Sequence, residues 1–142
     1  MAIEGVLREG LGVARQFTAL PWVREQFARK LGLALYPGTV NLQVADPVAQ
    51  ALLAQLREGR AVDPASGRVL AGVAIDPPEP GYCVGWAYPA RLGGLPAAAI
   101  VPRVADYPPD KLELVAAVRV RDALGLAPGD RVRVELLAAE IR

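Results

Sequence analysis

The sequence predicts a mainly β fold, a small β-barrel with helical insertions. Two observations point there. Many short strand-like stretches are separated by Gly- and Pro-rich turns, and only two or three segments read as helices. At 142 residues, with 53% hydrophobic and 22% charged residues and a mean hydropathy of +0.26, the chain is expected to fold as one globular domain spanning residues 1–142.

Taken in order, Glu4 to Val13 predicts a short strand running into the small-residue loop Gly10-Leu11-Gly12-Val13-Ala14-Arg15. Apolar residues at Trp22, Val23, Phe27 and Leu31 with charges between them predict an amphipathic helix from about Leu20 to Leu31, and Gly32 can end it. Tyr36-Pro37-Gly38-Thr39-Val40-Asn41 reads as a tight turn feeding a strand, because Pro pre-sets one turn dihedral and Gly supplies a conformation closed to other residues. Asp46-Pro47 opens a second helix as N-cap and first-turn proline, running to about Arg57 with Gly59 beyond.

From Arg60 to Val84 the chain is rich in Pro, Gly and Asp, with one strand-like piece at Val69 to Ile75. Tyr82 to Tyr88 and Ala97 to Val101 read as strands on either side of Gly93-Gly94, and Lys111 to Arg119 as another. Val120 to Leu124 suits a short helical turn. Leu126 to Asp130 turns the chain into a last strand, Arg131 to Leu137, whose alternation of Arg and Val gives it one wet face.

Composition excludes several chemistries. With no His, one Ser and a lone Cys83, the chain cannot build a Ser-His-Asp triad, a Cys-His pair, a cysteine metal cage or an intrachain disulfide. Cys83 reads as a small apolar residue in preference to a reactive thiol. A net charge of +1 gives no field for nonspecific nucleic-acid binding, so no nucleic-acid partner is expected. No apolar run approaches the roughly 20 residues that span a bilayer, and the N-terminus has no leader pattern, so a soluble cytoplasmic protein without a membrane partner is expected. Of 16 basic residues 14 are Arg, a bias that either a GC-rich genome or a hot habitat produces. Phosphoryl transfer passes this filter, since it asks mainly for positioning and charge stabilisation.

Polar side chains are so scarce that their places matter. Asn41 is the only asparagine and Thr39 one of two threonines. On a strand, Val40, Leu42 and Val44 point into a core while Thr39, Asn41 and Gln43 share the other face. Neutral oxygens of this kind suit a hard cation such as Mg²⁺ whose charge is balanced mainly by phosphates, although Thr and Asn after a Pro-Gly turn are also ordinary turn residues. The Gly10–Arg15 loop is either a plain turn or a place where backbone N–H groups approach phosphates, with Arg15 adding charge. Glu113 stands between Leu112 and Leu114, either on an open strand face or facing a cleft, where it could accept hydrogen bonds from a ligand. Arg119 and Arg121, alternating around Val120, are either a surface pair or guanidinium groups presented to a phosphate or base.

These pieces, with Ile100-Val101-Pro102, Leu112-Glu113-Leu114, Leu124-Gly125-Leu126 and Gly129-Asp130-Arg131-Val132-Arg133-Val134, stand in the order and approximate spacing of the archaeal-type CTP-dependent riboflavin kinases, which the chain resembles from about Gly5 to Leu137. The Pro-Gly-Thr-hydrophobic-Asn turn is the most specific element of the likeness. The resemblance implies a six-stranded cradle-loop, RIFT-like barrel and Mg²⁺-dependent transfer of a phosphoryl group from CTP to the 5′-hydroxyl of riboflavin, giving FMN and CDP. By position it implies Thr39 and Asn41 as metal ligands. Gly10, Leu11, Gly12, Val13, Ala14 and Arg15, together with Val118, Arg119, Val120 and Arg121, match nucleotide-binding stretches. Glu113 and the place of Ala105 match flavin contacts; no catalytic base is implied. Two departures stand out. Val13-Ala14 replaces a usual Glu-Gly, and Val104-Ala105 replaces an Arg-Thr pair whose Thr contacts the flavin.

Overall fold

The computed structural model describes residues 1–10, 13–78, 85–102 and 106–137, the side chains of 13–15 apart. Six antiparallel strands close into a ring. β1 (Ala2–Arg8) pairs with β2 (Val40–Gln43), which pairs with β8 (Lys111–Ala116), β7 (Leu95–Pro102) and β6 (Gly85–Leu92) in turn, and β9 (Arg131–Leu136) joins β6 back to β1. A further strand, β5 (Val73–Ile75), lies outside the ring on the edge of β6 that pairs with β9 further along. The expected six-stranded barrel is therefore present.

Strand alternation fills its interior. Ile3 and Leu7, Val40 and Leu42, Leu112 and Leu114, and Val132 and Val134 all turn inward and are buried. One end is stoppered by α3 (Pro47–Leu56), which inserts Leu52, Leu53 and Leu56 against this core. Asp46 caps that helix through its side chain onto the Val48 N–H, as the Asp-Pro pair predicts. Tyr88 is fully buried and donates its hydroxyl to the Leu56 carbonyl at 2.6 Å, tying stopper to barrel.

A second core lies outside the ring. The helix α2 (Pro21–Leu31), which Gly32 ends as expected, lays Val23 and Phe27 over Ile75, Ala87, Ala98, Ile100 and Val115. The central strands β7 and β8 are thus covered on both faces. This explains why 97–101 reads as an unbroken apolar run without alternation.

Several boundaries differ from expectation. β1 stops at Arg8, and Val13–Ala19 forms a separate helix, α1, where the sequence reads as loop. Pro21 forces the break between α1 and α2: Leu20 before it is extended, and Phe17 meets Trp22 edge-on at 5.9 Å across the junction. The strand-like piece Val69 to Ile75 is split at Gly72. Its first half is β4 (Val69–Ala71), which pairs with an unforeseen β3 (Arg60–Val62) in a small second sheet, and its second half is β5. β8 ends at Ala116, short of Arg119, because the chain bends there into α4 (Val120–Leu124). Cys83 lies outside the described residues. Among those described, no helix is long and apolar enough to cross a membrane.

Candidate functional site

The Pro-Gly turn sits where β2 begins. Gly38 adopts φ 115°, closed to residues with a side chain, and donates its N–H to the Thr18 hydroxyl at 2.8 Å. Thr18 is fully buried in α1, so the helix that the sequence did not announce fastens the turn. Tyr36 anchors the other side, its N–H donating to the Ala116 carbonyl at 2.8 Å. Thr18→Val keeps the shape and removes the acceptor. The bond is partly buried, so losing it costs about 1 kcal/mol, below the full penalty of a buried orphan N–H. The expected result is a melting temperature lowered by several degrees, checked by calorimetry, and an unchanged melt would refute the fastening.

Beyond the turn the strand faces divide as expected. Val40, Leu42 and Val44 are buried in the barrel, while Thr39 and Asn41 are half-buried on the outer face. On that face β2 meets β8 with Asn41 directly opposite Glu113, and Thr39 donates its hydroxyl to Glu113 Oε2 at 2.9 Å. Glu113 is not on an open strand face: it is only 9% exposed. Its other oxygen, Oε1, accepts the Tyr107 hydroxyl at 2.8 Å and stands 3.2 Å from Lys111 Nζ. Burial, reinforced by the Glu113 charge, pushes the Tyr107 hydroxyl well above the usual tyrosine range, so it stays a proton donor. Arg57 and Lys111 each lie 5.4 Å from the centre of the Tyr107 ring.

The first loop reaches the same place. A Cβ on Gly10 would meet the Asn41 amide, so the Gly10 backbone lies directly against that side chain and a larger residue would displace the amide. A cleft of about 240 Å³ opens there, lined by Arg8 at the end of β1, Glu9 and Gly10 after it, Asn41 and Gln43 on β2, Asp110, and Lys111 on β8. Leu11 and Gly12 lie outside the described residues, as do Val104 and Ala105. Val13, Ala14 and Arg15 form the first residues of α1.

The second stretch is divided. Arg121 approaches Glu9 to 4.0 Å and so borders the loop, whereas Arg119 is engaged by Asp122 at 2.9 Å. Val120 is buried at the start of α4 and Val118 is exposed. Thr39, Asn41, Gly10, Glu113 and Arg121 are therefore gathered at one end of the barrel. Thr18, Tyr107, Lys111 and Arg8 join them without having been singled out. Scarcity was the available signal for Thr18, the only other threonine, and for Lys111, one of two lysines.

The donor chemistry suits a hard cation. Among the described residues no group of three or more His, Cys, Asp or Glu could hold a metal. What the site offers is a hydroxyl and an amide oxygen on one strand face beside a single carboxylate, a set that fits Mg²⁺ when phosphates and water complete the shell.

A family model abbreviated as CTP-dependent riboflavin kinase, and described as "Domain of unknown function DUF120", matches residues 7–136. Riboflavin kinases of Methanosarcina mazei and Methanosarcina barkeri are 36% and 35% identical over 139 and 136 residues, each match covering 96% of this chain and 56% of the relative. The riboflavin kinase of Archaeoglobus fulgidus is 32% identical over 135 residues, 95% of this chain and 54% of its own length. The chain thus spans little more than half the length of these relatives. The matched region contains five of the six ring strands, the end of the sixth, β1, and the whole Thr39–Asn41–Glu113 cluster, and this chain belongs to the CTP-dependent riboflavin kinase family.

Proposed function

We propose that the chain transfers a phosphoryl group from CTP to the 5′-hydroxyl of riboflavin, giving FMN and CDP, with Mg²⁺ held by Thr39 and Asn41. The observation that carries this reading is the hydrogen bond from Thr39 to Glu113. It joins the proposed metal ligand to the proposed acceptor-side carboxylate in one small site. Bound Mg²⁺ supplies charge neutralisation at the donor phosphates. The chain's own part is to position. Gly10 lies against Asn41, Arg8 and Lys111 stand in the cleft beside the acids Glu9 and Asp110 and can turn to donor phosphates, and Glu113 accepts a hydrogen bond from the acceptor side. No histidine base exists, which a loose phosphoryl-transfer transition state tolerates.

A second reading, a flavin- or nucleotide-binding domain without turnover, draws on Val104-Ala105 standing where the family resemblance implies an Arg-Thr pair. One experiment separates the two. CTP, ATP and GTP are screened with Mg²⁺ by thermal shift, with and without riboflavin, because a ligand of the native state raises its apparent stability. FMN formation is then followed with each donor. The expected result is turnover with CTP favoured over ATP by about tenfold or more, roughly 1.4 kcal/mol of discrimination. Binding without FMN formation would select the silent domain, and equal use of CTP and ATP would remove the donor assignment.

A further inference from the structure

Glu113 has three donors around its two oxygens, and their arrangement is directional. Oε2 takes the Thr39 hydroxyl proton at 2.9 Å, while Oε1 takes the Tyr107 hydroxyl at 2.8 Å with Lys111 Nζ at 3.2 Å. A threonine hydroxyl has one proton and two lone pairs. With its proton committed to Glu113, Thr39 has only lone pairs left for other partners, which is the state a cation ligand requires. Tyr107 and Lys111 both hold Oε1, which leaves Oε2 turned to Thr39. Arg57 and Lys111 each lie 5.4 Å from the centre of the Tyr107 ring, and Arg57 itself donates to the Pro108 carbonyl at 2.7 Å.

We propose that Tyr107 is a positioning residue for the cation site: its hydroxyl holds Glu113 in the rotamer that takes the Thr39 proton and turns the Thr39 oxygen's lone pairs outward. The inference rests on the metal reading of Thr39 and Asn41 given above. Tyr107 acts on Thr39 through two hydrogen bonds in series, by way of Glu113. Its removal therefore weakens the cation's grip and leaves metal-free nucleotide contacts alone. Tyr107→Phe is a suitable probe because the ring and its two flanking cations remain.

The test is calorimetric titration of CTP into the protein across a series of Mg²⁺ concentrations and in EDTA. For Tyr107→Phe the Mg²⁺ concentration giving half the effect is expected to rise about threefold to tenfold, the size of one lost hydrogen bond. CTP affinity in EDTA is expected to be unchanged. In a Thr39→Val background, where the route to the cation is already cut, Tyr107→Phe is expected to add nothing. A merely structural role would instead weaken binding equally with and without Mg²⁺, and its effect would add to that of Thr39→Val; either result overturns the proposal. Wild-type protein whose CTP binding ignores Mg²⁺ would refute the metal reading and this inference with it. Mg²⁺-dependent wild-type binding that Tyr107→Phe leaves untouched would refute the role of Tyr107 alone.

Discussion

Asn41→Ala is expected to leave the barrel folded and to remove most Mg²⁺-dependent nucleotide turnover, a loss on the order of 2–4 kcal/mol in transition-state stabilisation, or about 30-fold to 1,000-fold in rate. The fold survives because the contribution of Asn41 to the barrel is its backbone. It pairs with Arg8 on one side and Glu113 on the other, and alanine keeps both ladders. Its side chain is half-buried on the outer face and lies against Gly10, so truncation opens the cleft without emptying the core. A rate effect therefore reports the amide itself. The measurement is kcat and KM for CTP at saturating Mg²⁺, alongside a thermal melt. A folded mutant with unchanged kinetics would refute the ligand assignment, whereas a large fall in melting temperature would mean that the amide holds the loop at Gly10.

That cluster was partly legible in the sequence, and the reason is local. The faces of β2 follow from the two-residue period of any strand, so Val40 and Leu42 could be turned inward and Thr39 and Asn41 outward without knowing the partner strands. α3 was legible because Asp46-Pro47 caps it visibly. What stayed hidden depends on distant partners. Thr18 is an unremarkable residue in a seven-residue helix with no side-chain cap signal, and its meaning lies in an N–H donor 20 positions on. Glu113 was ambiguous for a similar reason. On the outer face of β8 Glu113 is covered by the Thr39 side chain reaching across from β2 and by Tyr107, and no pattern within 111–116 reveals that cover. β3 and β4, three residues each, are too short for periodicity to register.

Glu113→Gln is expected to have an effect nearly as large as Asn41→Ala, and its direction follows from donor counting. The carboxylate receives protons on both oxygens, from Thr39 on one and from Tyr107 with Lys111 nearby on the other. Glutamine offers one accepting oxygen and one NH₂ group. The NH₂ cannot face the Lys111 ammonium and the Tyr107 hydroxyl together, so the amide settles with its oxygen on that side and its NH₂ toward Thr39. Thr39 must then accept where it previously donated, and its proton swings to the side on which a cation would need a lone pair. Mg²⁺-dependent CTP binding is expected to weaken by about 1.5–3 kcal/mol, the range for a hydrogen bond to a charged group, or roughly 10-fold to 150-fold. Riboflavin binding is expected to weaken as well, because the acceptor side loses its negative charge. Titration of each ligand separately, with a melt to verify folding, checks both arms. Loss of riboflavin binding with Mg²⁺ dependence intact would confine Glu113 to the acceptor side and break the proposed link through Thr39, while unchanged binding of both ligands would remove Glu113 from the site altogether.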